Sequence, residues 1–133
     1  MTLQQFFRLA GLTTALIGIA LVSFPSEVLQ FFDGANLGTH SHFIRFLGTA
    51  LLGFSVVNWY AIRLAHNPEA LLIALVANFT SLFLATTIDF ILFTTGMLTS
   101  RSILILLLHL SFAVGFGYWI HVVRQQLATQ KAR

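Results

Sequence analysis

Three ionisable side chains stand inside otherwise apolar stretches of this sequence: Arg45, Asp89 and His109. Charged groups are costly within a membrane, so each of these residues is a candidate for function. A carboxyl group and an imidazole at matched depth can relay a proton or bind an ion, with a guanidinium adjusting both. The alternative is structural: a buried ion pair, together with a histidine bonded to a carbonyl group, would fix how the helices align.

The elements that must position these residues are four long apolar runs. They are predicted at residues 6–24, 43–65, 69–94 and 102–123, each near or above the roughly 20 residues that span a bilayer. The chain of 133 residues is 57% hydrophobic and only 8% charged, whereas a soluble domain has about 25% charged residues. The predicted fold class is therefore all-α: a four-transmembrane-helix bundle that forms a single integral membrane domain.

A short interfacial helix is predicted between the first and second spans. Pro25 ends the first run, and residues 27–32 carry apolar side chains that suit a helix lying at the interface. The chain has 14 phenylalanines, more than a bundle of this size can bury. Four of them are predicted to contact lipid or an apolar ligand: Phe31, Phe32, Phe43 and Phe46. They form either lipid-facing anchors or a pocket beneath residues 25–42.

Helical geometry limits which polar residues can meet. Asn78 and Asp89 are 11 residues apart, so they lie within about 20° of each other on one face of the third span. Arg45 and Asn58 are 13 residues apart, which separates them by about 140° on the second span. A straight second span that packs along the third span therefore cannot form both an Arg45–Asp89 pair and an Asn58–Asn78 pair. We predict the Arg45–Asp89 pair, because an unpaired carboxylate in lipid costs more free energy than an unpaired amide.

The depth of His109 in the membrane indicates that the fourth span contributes to the same polar cluster. Asp89 precedes the outer end of the third span by about five residues, and His109 lies about seven residues into the fourth. Both side chains therefore sit roughly 8–10 Å below the outer boundary of the membrane. The predicted polar cluster is Arg45, Asp89 and His109, and the predicted interhelical amides are Asn58 and Asn78.

Histidines near the outer surface raise the question of a metal site. His40 and His42, together with Asp33 and His109, have side chains that can ligate Zn²⁺ or Cu²⁺. The alternative is a polar helix start in water. Side chains two residues apart on a helix diverge by about 200°, which disfavours joint ligation, and neither a metal nor a cofactor is predicted.

Motifs for catalysis are missing from the sequence. It contains no Walker loop, no G-x-S-x-G motif and no paired carboxylates, so we predict that the protein is not an enzyme. The absence of cysteine excludes disulfides and thiol chemistry. The net charge of +3 comes from residues at helix ends, without the basic patch and interleaved aromatic residues that would indicate nucleic-acid binding.

Basic residues are divided unequally between the two predicted sides of the membrane. One side carries Arg8, Arg63, Arg124, Lys131 and Arg133, and the other carries Arg45 and Arg101. The positive-inside rule then places both termini in the cytoplasm.

The second span and its flanks combine Arg45-Phe-Leu-Gly48, Leu-Leu-Gly53-Phe, Asn58-Trp59 and a closing Arg63. This pattern resembles uncharacterised small bacterial four-helix membrane proteins of the DoxX-like or domain-of-unknown-function type. The resemblance covers about the first two thirds of the chain. It implies a multi-pass protein of the bacterial inner (plasma) membrane and no defined chemistry.

The function predicted from these observations is non-enzymatic. The protein would be an accessory subunit or a module that contacts lipid or an apolar ligand, in a homo-oligomer or a larger membrane complex. The alternative is a small transporter or channel protomer that uses Arg45, Asp89 and His109. A third possibility is a metal- or cofactor-binding membrane subunit that uses His40, His42 and His109.

Overall fold

A computed structural model of the protein describes residues 1–33, 41–64, 66–96 and 100–131, apart from the side chains of residues 33, 41, 43 and 131. The helices within these residues are α1 (Leu3–Ser23), α2 (Pro25–Asp33), α3 (Ser41–Arg63), α4 (Pro68–Thr94) and α5 (Ile103–Lys131). The described part of the chain contains no strand, and the prediction of an all-α protein is confirmed.

Local sequence signals start two of these helices. The Thr2 hydroxyl accepts a hydrogen bond from the Gln5 backbone N–H at 3.2 Å, and the Gln5 side chain accepts one from the Thr2 N–H at 2.8 Å. This reciprocal capping box satisfies two donors that a helix N-terminus leaves free. Asn67 caps α4 by accepting from the Ala70 N–H at 3.1 Å, with Pro68 in the first turn, where a missing N–H costs nothing.

Three of the helices are long and apolar enough to cross a membrane: α1, α4 and α5. These three helices indicate a membrane protein. α3 is 23 residues long but includes Arg45 and Asn58, and it is not one of the three.

The last helix extends further than the predicted end of the fourth span at Val123. α5 continues to Lys131, eight residues beyond that predicted end. The extension contains three glutamines and two basic residues, which have good helix propensity, and its Leu127 packs against the core.

The long helices form two antiparallel pairs, α1 with α3 and α4 with α5. In the first pair the backbones touch at two glycines. A Cβ atom on Gly18 would lie 2.9 Å from the Gly48 carbonyl oxygen, and one on Gly48 would lie 2.8 Å from the Gly18 carbonyl oxygen. Small residues of this kind allow close approach of helices in membranes.

The two pairs meet at one end of the bundle, where α1 and α4 begin and α3 and α5 end. We call it the closed end. Phe6 of α1 packs edge-on against Phe116 of α5, with ring centres 4.7 Å apart. The buried apolar residues of this core are Phe6, Phe7, Ala10, Ala61, Leu71, Ala74, Leu75, Phe116 and Val123. Away from this core the pairs leave a space between them, and α2 lies across the other end.

Candidate ligand groove

A cavity of about 430 Å³ lies between the two helical pairs. Its volume is within the range of about 300–1,000 Å³ that is usual for small-molecule sites. Two of its wall residues, Leu47 and Leu104, are 43% and 60% exposed, so the cavity is a groove with an open side. We call it the inter-pair groove. Representative wall residues are Ile17, Leu51, Phe54, Leu82, Leu108 and Phe112, with Val28, Leu29 and Phe32 from α2.

Helix α2 covers the end of the groove opposite the core. Arg101 lies in the turn just before α5, and its guanidinium donates from Nη1 to the Phe31 carbonyl oxygen at 3.0 Å. The guanidinium carbon also lies 5.2 Å from the centre of the Phe31 ring. A cation is favoured both over an aromatic face and beside the carbonyl groups at a helix C-terminus. These contacts hold the last turns of α2 against α5.

The main polar feature of the groove wall is a pair formed by Asp89 and His109. Asp89 Oδ2 and His109 Nδ1 are 2.7 Å apart, and the histidine and aspartate side chains are 28% and 18% exposed. The antiparallel packing of α4 on α5 brings the two residues to the same height along the pair. An imidazole that donates from Nδ1 to a carboxylate has its ring orientation fixed.

The predicted pair of Arg45 and Asp89 is wrong. The carboxyl group pairs with His109 instead, and Arg45 is exposed on α3. The reason lies in helix packing: α3 packs chiefly against α1 and contacts α4 only locally. The predicted cluster of three residues is therefore reduced to two, Asp89 and His109.

Asn58 and Asn78 both line the groove near the closed end. Asn58 is 1% exposed and Asn78 is 4% exposed. Asn78 Nδ2 donates to the Ala74 carbonyl oxygen of its own helix at 2.9 Å. Neither Nδ2 nor Oδ1 of Asn58 has a hydrogen-bond partner among the described residues. The two amides lie on facing helix pairs, but they are not bonded to each other.

The phenylalanines predicted to contact lipid or ligand are divided between two environments. Phe32 lines the groove. Phe31 and Phe46 are 51% and 72% exposed on the outside of the bundle, and their contact with lipid stays a prediction. The side chain of Phe43 lies outside the described residues.

Of the predicted metal ligands, His40 lies outside the described residues and His42 is exposed. His109 is engaged by Asp89. No group of three or more histidine, aspartate or glutamate side chains that could hold a metal ion occurs in the described part of the chain.

One polar residue that matters for the fold was not predicted. Ser55 is 5% exposed, and its hydroxyl donates to the Gly11 carbonyl oxygen at 2.8 Å, which joins α3 to α1. A signal was present: Gly48 and Ser55 are seven residues apart, as are Gly11 and Gly18. Small residues at a spacing of seven share one helix face, and here each face is the one that packs on the other helix.

Comparison of the chain with protein-family models, with curated proteins and with solved structures gives no match. The resemblance of the second span to DoxX-like proteins therefore stays a prediction, and the function has to be inferred from the groove itself.

Proposed function

We propose that this protein is a non-enzymatic four-span membrane protein that binds an amphipathic, lipid-like molecule in the inter-pair groove. The observation that carries the proposal is the groove: an apolar cavity of about 430 Å³ with wall residues from all five helices. Binding sites for small molecules are typically largely preformed, concave and apolar, with a few polar groups that fix orientation. The inter-pair groove has each of these properties.

The directions of the helices at the core support α3 as the fourth membrane span. The first turns of α1 and of α4 both belong to the core at the closed end, so α1 and α4 run in the same direction. If both cross the membrane, the chain must return between them, and α3 is the only long helix described between α1 and α4. α3 also lies antiparallel along α1, from the Gly18–Gly48 contact to the Ser55–Gly11 bond.

In this arrangement α2 lies at the membrane interface and covers the groove. The closed end faces the cytoplasm, because it carries Arg8, Arg63 and Arg124, and basic residues are enriched on the cytoplasmic side. The groove then opens toward the outer half of the bilayer, which the DoxX-like resemblance implies is a bacterial inner membrane. Membrane lipid thus surrounds the protein and also supplies its ligand.

An ion or proton pathway has less support. Asp89 and His109 supply two titratable groups, but the apolar core blocks the route past them to the closed end. Phe7, Leu75, Phe116 and Val123 are each 0–1% exposed there. The predicted third member, Arg45, is on another face. We therefore favour ligand binding over transport, and we propose that the exposed apolar faces contact lipid or further copies of the chain.

Photolabelling tests the binding proposal. The purified protein in lipid nanodiscs is irradiated with a long-chain alcohol that carries a diazirine in mid-chain, and the labelled residues are mapped by mass spectrometry. We expect labels on groove residues such as Leu51, Phe54 and Leu108. Leu108→Trp fills the groove and is expected to reduce these labels several-fold.

The matched control is Leu107→Trp, one residue along the same helix. Leu107 is 52% exposed and is not a wall residue of the groove, so this variant should leave the groove labels unchanged. Labelling confined to exposed positions, or equal groove labelling in both variants, would contradict the proposal. Native mass spectrometry of the same sample measures the oligomeric state and any lipid that remains bound.

A further inference from the structure

Asn58 has an unmet hydrogen-bonding requirement at the closed end of the groove. Its side chain is almost fully buried, with 1% of the residue exposed, yet both amide atoms lack a partner among the described residues. Buried amides in native proteins are almost always hydrogen-bonded, because an unpaired group loses its water without compensation. Asn58 also lines the groove, so an occupant of the groove is placed to supply the missing bonds.

The surroundings of Asn58 are neutral. Asn78, on the facing helix pair, is the other amide in this part of the groove wall. The ionisable side chains in the described wall are Asp89 and His109. Asp89 is 11 residues from Asn78 along α4, which is about 16 Å. A charged group beside Asn58 would be buried without a counter-charge, and burial of an unpaired charge is far more costly than burial of a neutral polar group.

The shape of the groove sets the rest of the ligand. From Asn58 to Ile44, both of which line the groove, α3 runs for 14 residues, or about 21 Å. The wall between them includes Leu47, Leu51 and Phe54. A molecule that fills this length must be elongated and apolar behind its polar end.

From these observations we infer that the ligand is a neutral long-chain amphiphile whose polar end both donates and accepts a hydrogen bond, such as an alcohol. This inference rests on the proposed function. The hydroxyl oxygen accepts from Asn58 Nδ2, and the hydroxyl hydrogen is donated to Asn58 Oδ1 or to the neighbouring Asn78 amide. The hydrocarbon chain extends along α3 toward α2. The polar end thus lies deep in the bundle, and the apolar end lies near the mouth.

Competition against the photolabel tests this inference. Unlabelled hexadecanol and hexadecane differ in one hydroxyl group, and each is added to the protein in nanodiscs before irradiation with the diazirine alcohol. We expect hexadecanol to suppress the groove labels at about one tenth of the concentration that hexadecane needs, the ratio expected for a polar group that satisfies a buried amide. Asn58→Leu should abolish that ratio.

The control variant is Ser55→Ala, which removes another buried polar group from the same helix. The Ser55 hydroxyl is already bonded to Gly11, so the preference for hexadecanol should persist in this variant. Thermal unfolding without added ligand gives a second readout. Asn58→Leu should unfold at the same temperature as the parent or higher, because it replaces an unsatisfied amide by an apolar side chain of similar size.

The outcomes separate the two proposals. If neither compound competes and the groove is not labelled, both the proposed function and this inference fail. If both compounds compete equally, the groove binds chains but the role of Asn58 is overturned. If Asn58→Leu lowers the unfolding temperature and leaves the preference unchanged, Asn58 is satisfied by water alone and the inference is again overturned.

Discussion

At the scale of single residues, the carboxyl group of Asp89 is bonded to the imidazole of His109. The pair joins α4 to α5 on the side of the groove. Polar contacts between helices in a membrane are individually modest, on average about 0.6 kcal/mol. Their larger effect is on orientation, because a partly buried imidazole without a partner must find another or turn toward the lipid. The pair therefore helps to define the groove wall as well as the packing of α4 on α5.

Substitutions at Asp89 separate hydrogen bonding from charge. Asp89→Asn keeps an oxygen that can accept from His109 Nδ1, so we expect it to change stability little. Asp89→Leu leaves the imidazole without its partner, and we expect a loss of about 1 kcal/mol. Reversible thermal unfolding in one detergent, followed by circular dichroism, measures both variants. If Asp89→Asn is as unstable as Asp89→Leu, the negative charge is what matters.

At the scale of the helices, the contact between α1 and α3 depends on two glycines. At Gly18 and at Gly48, the space that a Cβ atom would need is taken by the carbonyl oxygen of the other helix. This close approach puts Ser55 within reach of the Gly11 carbonyl group and sets the position of Asn58 beside the groove. Another glycine of α3, Gly53, is exposed, and a Cβ atom added to it would meet nothing within 4 Å.

The glycines should respond in opposite directions to the same substitution. Gly48→Ala forces the two backbones apart, because the new Cβ atom meets the Gly18 carbonyl oxygen at 2.8 Å, and we expect a lower unfolding temperature. Gly53→Ala meets nothing and removes the entropic cost of glycine in a helix, so it should stabilise by about 0.5–1 kcal/mol. Thermal unfolding of both variants beside the parent measures the difference. Equal effects would argue against direct contact of the two backbones.

At the scale of the whole molecule, two helical pairs are joined at one end by an apolar core. Phe6, Phe7 and Phe116 provide the aromatic part of that core. The remaining length of the pairs is separated by the groove, with α2 across its mouth. This arrangement explains how a small chain has a binding-sized cavity: the core is concentrated at the closed end. The proposed four-span arrangement requires α1 and α4 to start on the same side of the membrane.

Cysteine accessibility tests that requirement cleanly, because the chain has no cysteine of its own. Single cysteines replace Thr2, His42, His66, Ser100 and Thr129, and intact cells or right-side-out vesicles are treated with an impermeant maleimide. With four spans, positions 2, 66 and 129 are protected, whereas 42 and 100 react from outside.

A three-span protein, in which α3 does not cross, gives a different pattern. Positions 42 and 66 would then lie on the same side, and positions 2 and 129 on opposite sides. Labelling after the membrane is permeabilised confirms that each cysteine is reactive. A shared response of positions 42 and 66 would reject the four-span arrangement.

The sequence predicts more of the fold than of the groove. Composition and run length predict an all-α membrane protein, because a chain with 8% charged residues cannot cover a surface that faces water. The start of α4 was predictable from Asn67-Pro68, since capping chemistry is local. The boundary of α5 was not, because a hydrophobic run marks the edge of the membrane, whereas a helix can continue beyond it in water.

The sequence by itself determined the helices and the cost of each polar group within them. It placed Asn78 and Asp89 on one face of α4 and required the carboxyl group to have a partner. Only the tertiary structure decided that the partner is His109 rather than Arg45, because angular positions on one helix do not say which neighbour it packs against. The glycine contact directs α3 to α1, the aromatic core closes one end, and the inter-pair groove is the space that these two constraints leave.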